Sequence, residues 1–218
     1  MEKDRTIKYV AVFALLLSVL GLSLGFAAFS NSLTISSEAH VTPDASQFNV
    51  DFSTESNKVT VAAVEPALTN GATATNATIN NESDPTITGL NATFKQPGDK
   101  VVYSFNAYND GALDAFLTSV TFNNASTGDS FKVCKAGEGT TESLVAAVCP
   151  NITATVEVGG TSYADTQTGI TGHNLAKKTG ETVVVTLEYT GNLVADGNFD
   201  VSFGDVVLKY DSVDTVTP

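Results

Sequence analysis

The chain has 218 residues, 24 of them acidic and 11 basic, and its formal net charge is −13. Hydrophobic residues make up 42% of it, which is enough for the core of one sizeable domain and excludes wholesale disorder. A chain this acidic has few Lys and Arg residues to contact nucleic-acid phosphates or anionic lipid headgroups, so we expect neither nucleic acid nor an anionic lipid surface as a partner.

The N-terminal residues differ from the rest of the chain. A short basic segment precedes an uncharged apolar run over residues 9–29, which is the order of a secretory signal. Gly25 and Ala27 are small residues of the kind that a signal peptidase reads, so we expect cleavage between Ala27 and Ala28. The alternative is a retained membrane anchor, because the run is long enough to cross ~30 Å of hydrocarbon.

Both alternatives place the remainder of the protein outside the cytoplasm, because the basic start stays inside. We therefore divide the chain into residues 1–27, a signal peptide or anchor, and 28–218, a single exported domain. This domain contains 8 lysines, no arginine and 22 acidic residues. The expected location is extracellular or at the cell surface, and signal peptidase is a partner during export.

Apolar and polar side chains alternate with period two along the exported part, and the 29 Thr residues of the whole chain add to a β-sheet composition. Short strands between polar turns predict an all-β fold, an antiparallel two-sheet sandwich of the jelly-roll or immunoglobulin-like kind. We expect Gly204 to introduce a bulge or a bend. Residues 66–84 read as a surface excursion. The expected strands cover residues 32–36, 47–52, 58–64, 86–94, 100–109, 115–123, 152–158, 182–189 and 199–210.

Cys134 and Cys149 are the only cysteines. They flank the one helical pattern, residues 140–148, which Thr140 or Thr141 would cap. An even cysteine count in an exported chain favours a disulfide, worth ~3 kcal/mol for a loop of this length. The alternative is a metal pair, which lacks the further ligands of a structural zinc site. The expected fold therefore has one short helix in a disulfide-closed loop, preceded by an N-terminal apolar helix.

Catalytic and cofactor motifs are missing from the sequence. His40 and His173 are the only imidazoles, and neither lies in a zinc-protease motif. No serine stands in a nucleophile elbow, and no glycine-rich segment matches a phosphate-binding loop. We therefore expect no enzyme, no catalytic residue and no cofactor. A hydrolase that uses two of the many carboxylates is the alternative.

Two acidic turns contain the oxygen ligands that calcium prefers: Asn109-Asp110 with Asp114, and residues 196–198 with Asp200. Neither fits the twelve-residue calcium loop, and Asp and Asn are also ordinary turn residues, so we expect no metal site. Five Asn-x-Ser/Thr sequons would matter in a host that glycosylates them. They begin at Asn76, Asn81, Asn91, Asn124 and Asn151.

Residues 26–29 (Phe-Ala-Ala-Phe), followed by an alternating segment to residue 35, resemble the processing region of TasA and camelysin-type exported bacterial proteins. In that family a dedicated SipW-type signal peptidase cuts there. Two positions depart from the family pattern: Phe stands where Trp is usual, and Ser30-Asn31 where an Asn-Asp pair is common. The strand at 101–111 also resembles a pattern of secreted bacterial sandwich domains.

The resemblance implies a jelly-roll subunit of the cell surface or biofilm matrix that forms filaments. In such filaments the new N-terminal segment adds as a strand to a neighbouring subunit. Phe29, Leu33 and Ile35 fall on one face of an extended segment that starts at Ala28, a pattern suited to an open sheet edge. The alternative is that this segment is the first strand of its own domain. Camelysin-type proteins are sometimes credited with protease activity, which the missing metal-ligand motif does not support.

The sequence thus predicts a non-catalytic, exported structural protein of the cell surface or extracellular matrix, self-associating by strand addition. The alternative function is a binding or adhesion module anchored in the membrane through residues 9–29.

Overall fold

The computed structural model describes residues 47–82, 84–123, 131–191 and 197–212, which belong to one compact unit, Pro43–Pro218. The apolar run at 9–29, the strand expected at 32–36 and the cleavage site between Ala27 and Ala28 lie outside these residues. No helix in the described ranges is long and apolar enough to cross a membrane. The expected donor-strand side chains also lie outside the described part of the chain: Phe29, Leu33 and Ile35.

The described residues form fifteen strands and one short α-helix, and every strand pair is antiparallel. The expected all-β, antiparallel fold is confirmed. In chain order the elements are β1 (Val50–Ser53), β2 (Pro66–Thr69), β3 (Thr78–Asn80), β4 (Thr86–Thr88), β5 (Asn91–Phe94), β6 (Lys100–Asn109), β7 (Ala115–Asn123), β8 (Lys132–Ala136), α1 (Glu142–Val148), β9 (Ile152–Val158), β10 (Thr161–Tyr163), β11 (Gln167–Thr168), β12 (Asn174–Leu175), β13 (Gly180–Tyr189), β14 (Phe199–Phe203) and β15 (Asp205–Asp211).

The strands form three sheets. The first has the order β1-β6-β13-β9-β10, with β2 also paired to β6. Because β1 lies opposite Asn106–Asn109 and β2 opposite Lys100–Tyr103, the two share one edge of β6. The second sheet has the order β11-β7-β15-β4-β3, with β12 also paired to β7, and the third has the order β5-β14-β8.

The second and third sheets are continuous along the chain. Gly89, with a φ of +76°, and Leu90 separate β4 from β5, and Gly204 separates β14 from β15. The interruption expected at Gly204 is therefore confirmed, and it changes the pairing partners from β5 and β8 to β4 and β7. The expected single strand at 86–94 is split in the same way.

The core consists of apolar side chains from all three sheets. The rings of Phe52 and Phe105 meet edge to face, with centroids 4.7 Å apart. The hydroxyl of the fully buried Tyr103, on β6, lies 3.1 Å from the carbonyl oxygen of Asn91, on β5, and so connects the first sheet to the third. Alternation along each strand puts one face into this shared core.

Two expectations for residues 58–84 are wrong. Residues 58–64 alternate as a strand would, but Val59 and Val61 are exposed and the segment forms only one isolated bridge, from Val64 to Ala77. Residues 66–84 are not a surface excursion, because they contain β2 and β3 and bury Ile79 in the core. Small Ala and Thr residues gave this segment a weak apolar pattern.

The disulfide and the helix are confirmed. Cys134, on β8, is bonded to Cys149, which follows α1, with a Cα–Cα distance of 6.0 Å that is ordinary for a disulfide. Thr141 is the N-cap residue, although its side chain makes no capping hydrogen bond. Val145 and Val148 are the buried residues of α1, so the helix lies against the core with the disulfide at its C-terminal end.

Candidate functional site

A cleft of about 590 Å³ lies between the first sheet and strand ends of the second and third sheets. One wall comes from the ends of β7 and β8, and includes Phe122 and Phe131, whose rings are perpendicular with centroids 4.8 Å apart. The other wall comes from the first residues of β9, including Ile152 and Ala154. The linker from β10 to β11 completes the lining with Ala164.

The cleft exists because β10 is shorter than β9. Strand β10 pairs only with Val156–Val158, so residues 152–155 have β13 on one side and no strand on the other within the described ranges. Gly159 N–H donates to Thr182 O, so Gly159 faces β13. In an antiparallel pair every second residue bonds to the same partner strand. The backbone groups of Ile152 and Ala154 therefore point away from β13, toward the open side.

Most backbone groups at this opening are already bonded to nearby atoms. Ile152 N–H donates to Cys149 O, and Lys132 Nζ donates to Ile152 O. On the facing wall, Phe122 N–H donates to the Thr166 hydroxyl over 3.1 Å. Ala154 is the remaining outward-facing position of β9, and no strand of the described chain pairs with it.

Lys132 and Asp165 are the charged residues of the described cleft lining. Partial burial lowers the pKa of Lys132, because the charged ammonium loses solvation. The lining mixes apolar side chains with three threonines and these two charged residues, and together with the open backbone position of Ala154 it suits an extended peptide. A hydrolase of the paired-carboxylate type needs two carboxyl groups, and this lining supplies one.

The disulfide borders the cleft. Cys134 follows Lys132 by two residues on β8, and Cys149 precedes Ile152 by three, so the bond joins the two walls beside the opening. The cysteines expected to be structural are thus part of the frame of the candidate site.

A partly buried polar cluster at the other end of β13 was not predicted. Glu181 Oε2 lies 2.7 Å from His173 Nε2, and Tyr210 Oη donates to Glu181 Oε1 over 2.9 Å. The hydrogen bond to Glu181 raises the pKa of His173 against the effect of burial. Burial, followed by the charge of Glu181, raises the pKa of Tyr163 and, to a greater extent, that of Tyr210.

The inward alternation of β13 is the sequence signal that could have found this cluster. Val183, Val185 and Leu187 are buried, and Glu181 continues the same face. An acidic residue in register with a core face requires polar partners.

The residues considered for calcium have other partners. Lys178 Nζ lies 2.8 Å from Asp110 Oδ1, and Lys177 N–H donates to Asp114. The buried Asn109 amide donates to the carbonyls of Leu113 and Leu175. Asp200 accepts from Thr93, while Asp196 lies outside the described residues. The described part of the chain contains no group of three or more His, Cys, Asp or Glu that could hold a metal ion.

The sequon asparagines differ in their surroundings. The amides of Asn81, Asn91 and Asn151 donate to protein acceptors, whereas Asn76 is exposed between two β-bridges. Asn124 and His40 lie outside the described ranges.

Comparison of the chain with protein-family models, with curated proteins and with solved structures found no match.

Proposed function

We propose that this protein is a non-catalytic structural subunit, exported to the cell surface or extracellular matrix, which forms filaments by strand addition. The observation that carries the proposal is the stretch of β9 over residues 152–155, which borders the cleft and has no strand on its outer side within the described ranges. The residues that would add there are 28–36 of another copy, freed when the chain is cut after Ala27. The resemblance of residues 25–35 to TasA and camelysin-type proteins supports the same function.

The fold we propose is a two-layer jelly roll. One layer would be the first sheet, and the second and third sheets together would form the other. In this arrangement β4 and β5 count as one long strand, as do β14 with β15, β7 with β8, and β11 with β12. The eight resulting strands follow the jelly-roll order. One layer has β6-β13-β9-β10, and the other has the four combined strands in the order just given. The core residues shared by the three sheets support this arrangement.

The apolar face of the donor segment has counterparts in the cleft. Phe29, Leu33 and Ile35 would face its aromatic and aliphatic side chains, while the backbone of the segment would pair with Ala154 at the open edge. An added strand in this position would extend the first sheet beside β9. The disulfide at the cleft supports export, because such bonds persist in oxidising compartments.

Electron microscopy of protein that begins at Ala28 tests the proposal, and ordered fibres are the expected result. The double variant Leu33→Asp/Ile35→Asp puts two charges on the apolar face and should abolish the fibres. Its matched control is Ser32→Asp/Thr34→Asp, which adds the same charges on the opposite face and should keep them. A wild-type protein that stays monomeric at high concentration would refute self-assembly.

The second candidate function is a membrane-anchored binding or adhesion module, favoured by the length of the apolar run at 9–29. N-terminal sequencing of the protein from its native host separates the two. A subunit processed as proposed begins at Ala28, whereas an anchored module begins at Met1 or Glu2 and fractionates with membranes.

A further inference from the structure

We infer that Lys132 is an autoinhibitory latch on the cleft, bonded to the Ile152 carbonyl that an added strand would need. The inference rests on the proposed function and adds a regulatory contact to the same site. The latch is defined by two groups, the Lys132 ammonium on β8 and the Ile152 carbonyl on β9.

The position of the contact is what makes it inhibitory. Lys132 pairs with Phe203 in the third sheet, and Ile152 pairs with Tyr189 in the first, so the lysine side chain crosses from one wall of the cleft to the other. Both Lys132 and Ile152 line the cleft. An extended segment cannot enter and pair along residues 152–154 without displacing this side chain.

The chemistry of the bond also opposes strand addition. A hydrogen bond from an ammonium group to a carbonyl is stronger than the neutral N–H···O=C bond that an added strand would offer in exchange. Lysine at a sheet edge is a common way in which proteins prevent unwanted strand pairing. The Ile152 N–H is bonded to Cys149 O. With the latch in place, both backbone groups of Ile152 therefore have partners and are not available to an added strand.

The same strand supplies a control for the latch. Lys135 lies three residues further along β8, is exposed, and stands opposite Asp200 in the third sheet rather than at the cleft. Removing either lysine changes the net charge equally, but only Lys132 contacts the β9 edge. A difference between the two variants therefore reports on the contacts of the Lys132 ammonium and not on net charge.

The test measures fibre growth of protein that begins at Ala28, by light scattering and electron microscopy, for wild type, Lys132→Met and Lys135→Met. Methionine keeps an unbranched stem and removes the donor. We expect Lys132→Met to lower the critical concentration for assembly about tenfold, a factor that corresponds to ~1.4 kcal/mol. Lys135→Met should assemble as the wild type does. Lys132→Gln, which keeps a neutral donor on a shorter stem, should fall between wild type and Lys132→Met.

The outcomes separate the latch from the proposed function. Fibres of wild type and Lys132→Met with equal critical concentrations would overturn the latch and leave strand addition standing. A lower critical concentration in both methionine variants would assign the effect to charge and also overturn it. Monomers in every variant, each unfolding cooperatively, would overturn the proposed function and the latch together.

Discussion

Asn81 pairs with Phe52 as a residue of a neighbouring strand would. The Asn81 side-chain oxygen accepts from Phe52 N–H over 2.9 Å, and its amide nitrogen donates to Phe52 O, also over 2.9 Å. Phe52 lies in β1, the outermost strand of the first sheet. A single side chain thus satisfies both backbone groups that this residue presents at the sheet edge.

Replacing Asn81 with Ala should expose the β1 edge. We expect a loss of ~1–2 kcal/mol in the free energy of unfolding, since two backbone groups lose their partner, and concentration-dependent dimers that pair through β1. Chemical denaturation and analytical ultracentrifugation measure the two effects. Asn80→Ala is the control, because Asn80 is exposed and its side chain accepts a local hydrogen bond from Glu82 N–H. Dimers formed equally by both variants would contradict the assignment.

The His173–Glu181 contact should make stability depend on pH. The folded pKa of His173 is raised above its ordinary value of 6.5. Its contribution is therefore fully present below about pH 6.5 and is lost as the pH rises through the folded pKa. The free energy of unfolding should be greater at about pH 6 than at about pH 9. His173→Gln, which cannot titrate, should reduce this difference, and an unchanged difference would exclude His173 as its source.

The turn between β9 and β10 offers a matched pair of glycine variants. Gly159 and Gly160 both have positive φ, at +55° and +87°, so alanine at either should cost ~1–2 kcal/mol in backbone strain. A Cβ at Gly159 would overlap Glu181 Oε2, whereas one at Gly160 meets nothing within 4 Å.

The Gly159→Ala variant should therefore lose a further ~1–3 kcal/mol, because the Glu181 carboxylate is held by His173 and Tyr210 and cannot move without losing a bond. It should also weaken the pH dependence, while Gly160→Ala should retain it. Denaturation curves at two pH values measure both effects. Equal losses in the two variants would show that backbone strain alone accounts for them.

The disulfide should contribute ~3 kcal/mol, the chain-entropy value for cysteines 15 residues apart. Cys134→Ser/Cys149→Ser should lower the free energy of unfolding by about that amount, and a reductant should do the same to the wild type. The double variant serves as the control for the reductant, which should not affect it. A wild type that reductant leaves unchanged, with its thiols shown to be free, would contradict the estimate.

Strands with strong alternation were the most predictable part of the fold. β6, β7 and β9 have the bounds that the sequence indicates, and β13 begins two residues earlier. The alternation of apolar and polar residues does not show whether a neighbouring strand is available for pairing. Residues 58–64 were therefore wrongly predicted to be a strand. Short strands such as β10 and β12 have too few residues for a period to be visible, and tertiary pairing defines them.

The candidate site was less predictable than the fold. The cysteine pair could be inferred from count and spacing, but the cleft arises from the difference in length between β9 and β10. The bond from Lys132 to Ile152 joins residues of two different sheets, and no local pattern encodes such a contact. Glu181 and Tyr210 likewise meet only because β13 and β15 face the same core.

Two chemically different contacts stabilise strand β13, one near each end. At its start, Glu181 holds Tyr210 of the second sheet and, beside it, an ionisable imidazole. At its finish, Tyr189 lies opposite Ile152, three residues from the disulfide. Alkali weakens the polar cluster at Glu181, and a thiol reagent reduces the disulfide. Each treatment therefore acts on one of the two contacts. Raising the pH and adding a thiol reagent should therefore weaken contacts at opposite ends of one strand, so their effects on the free energy of unfolding should add.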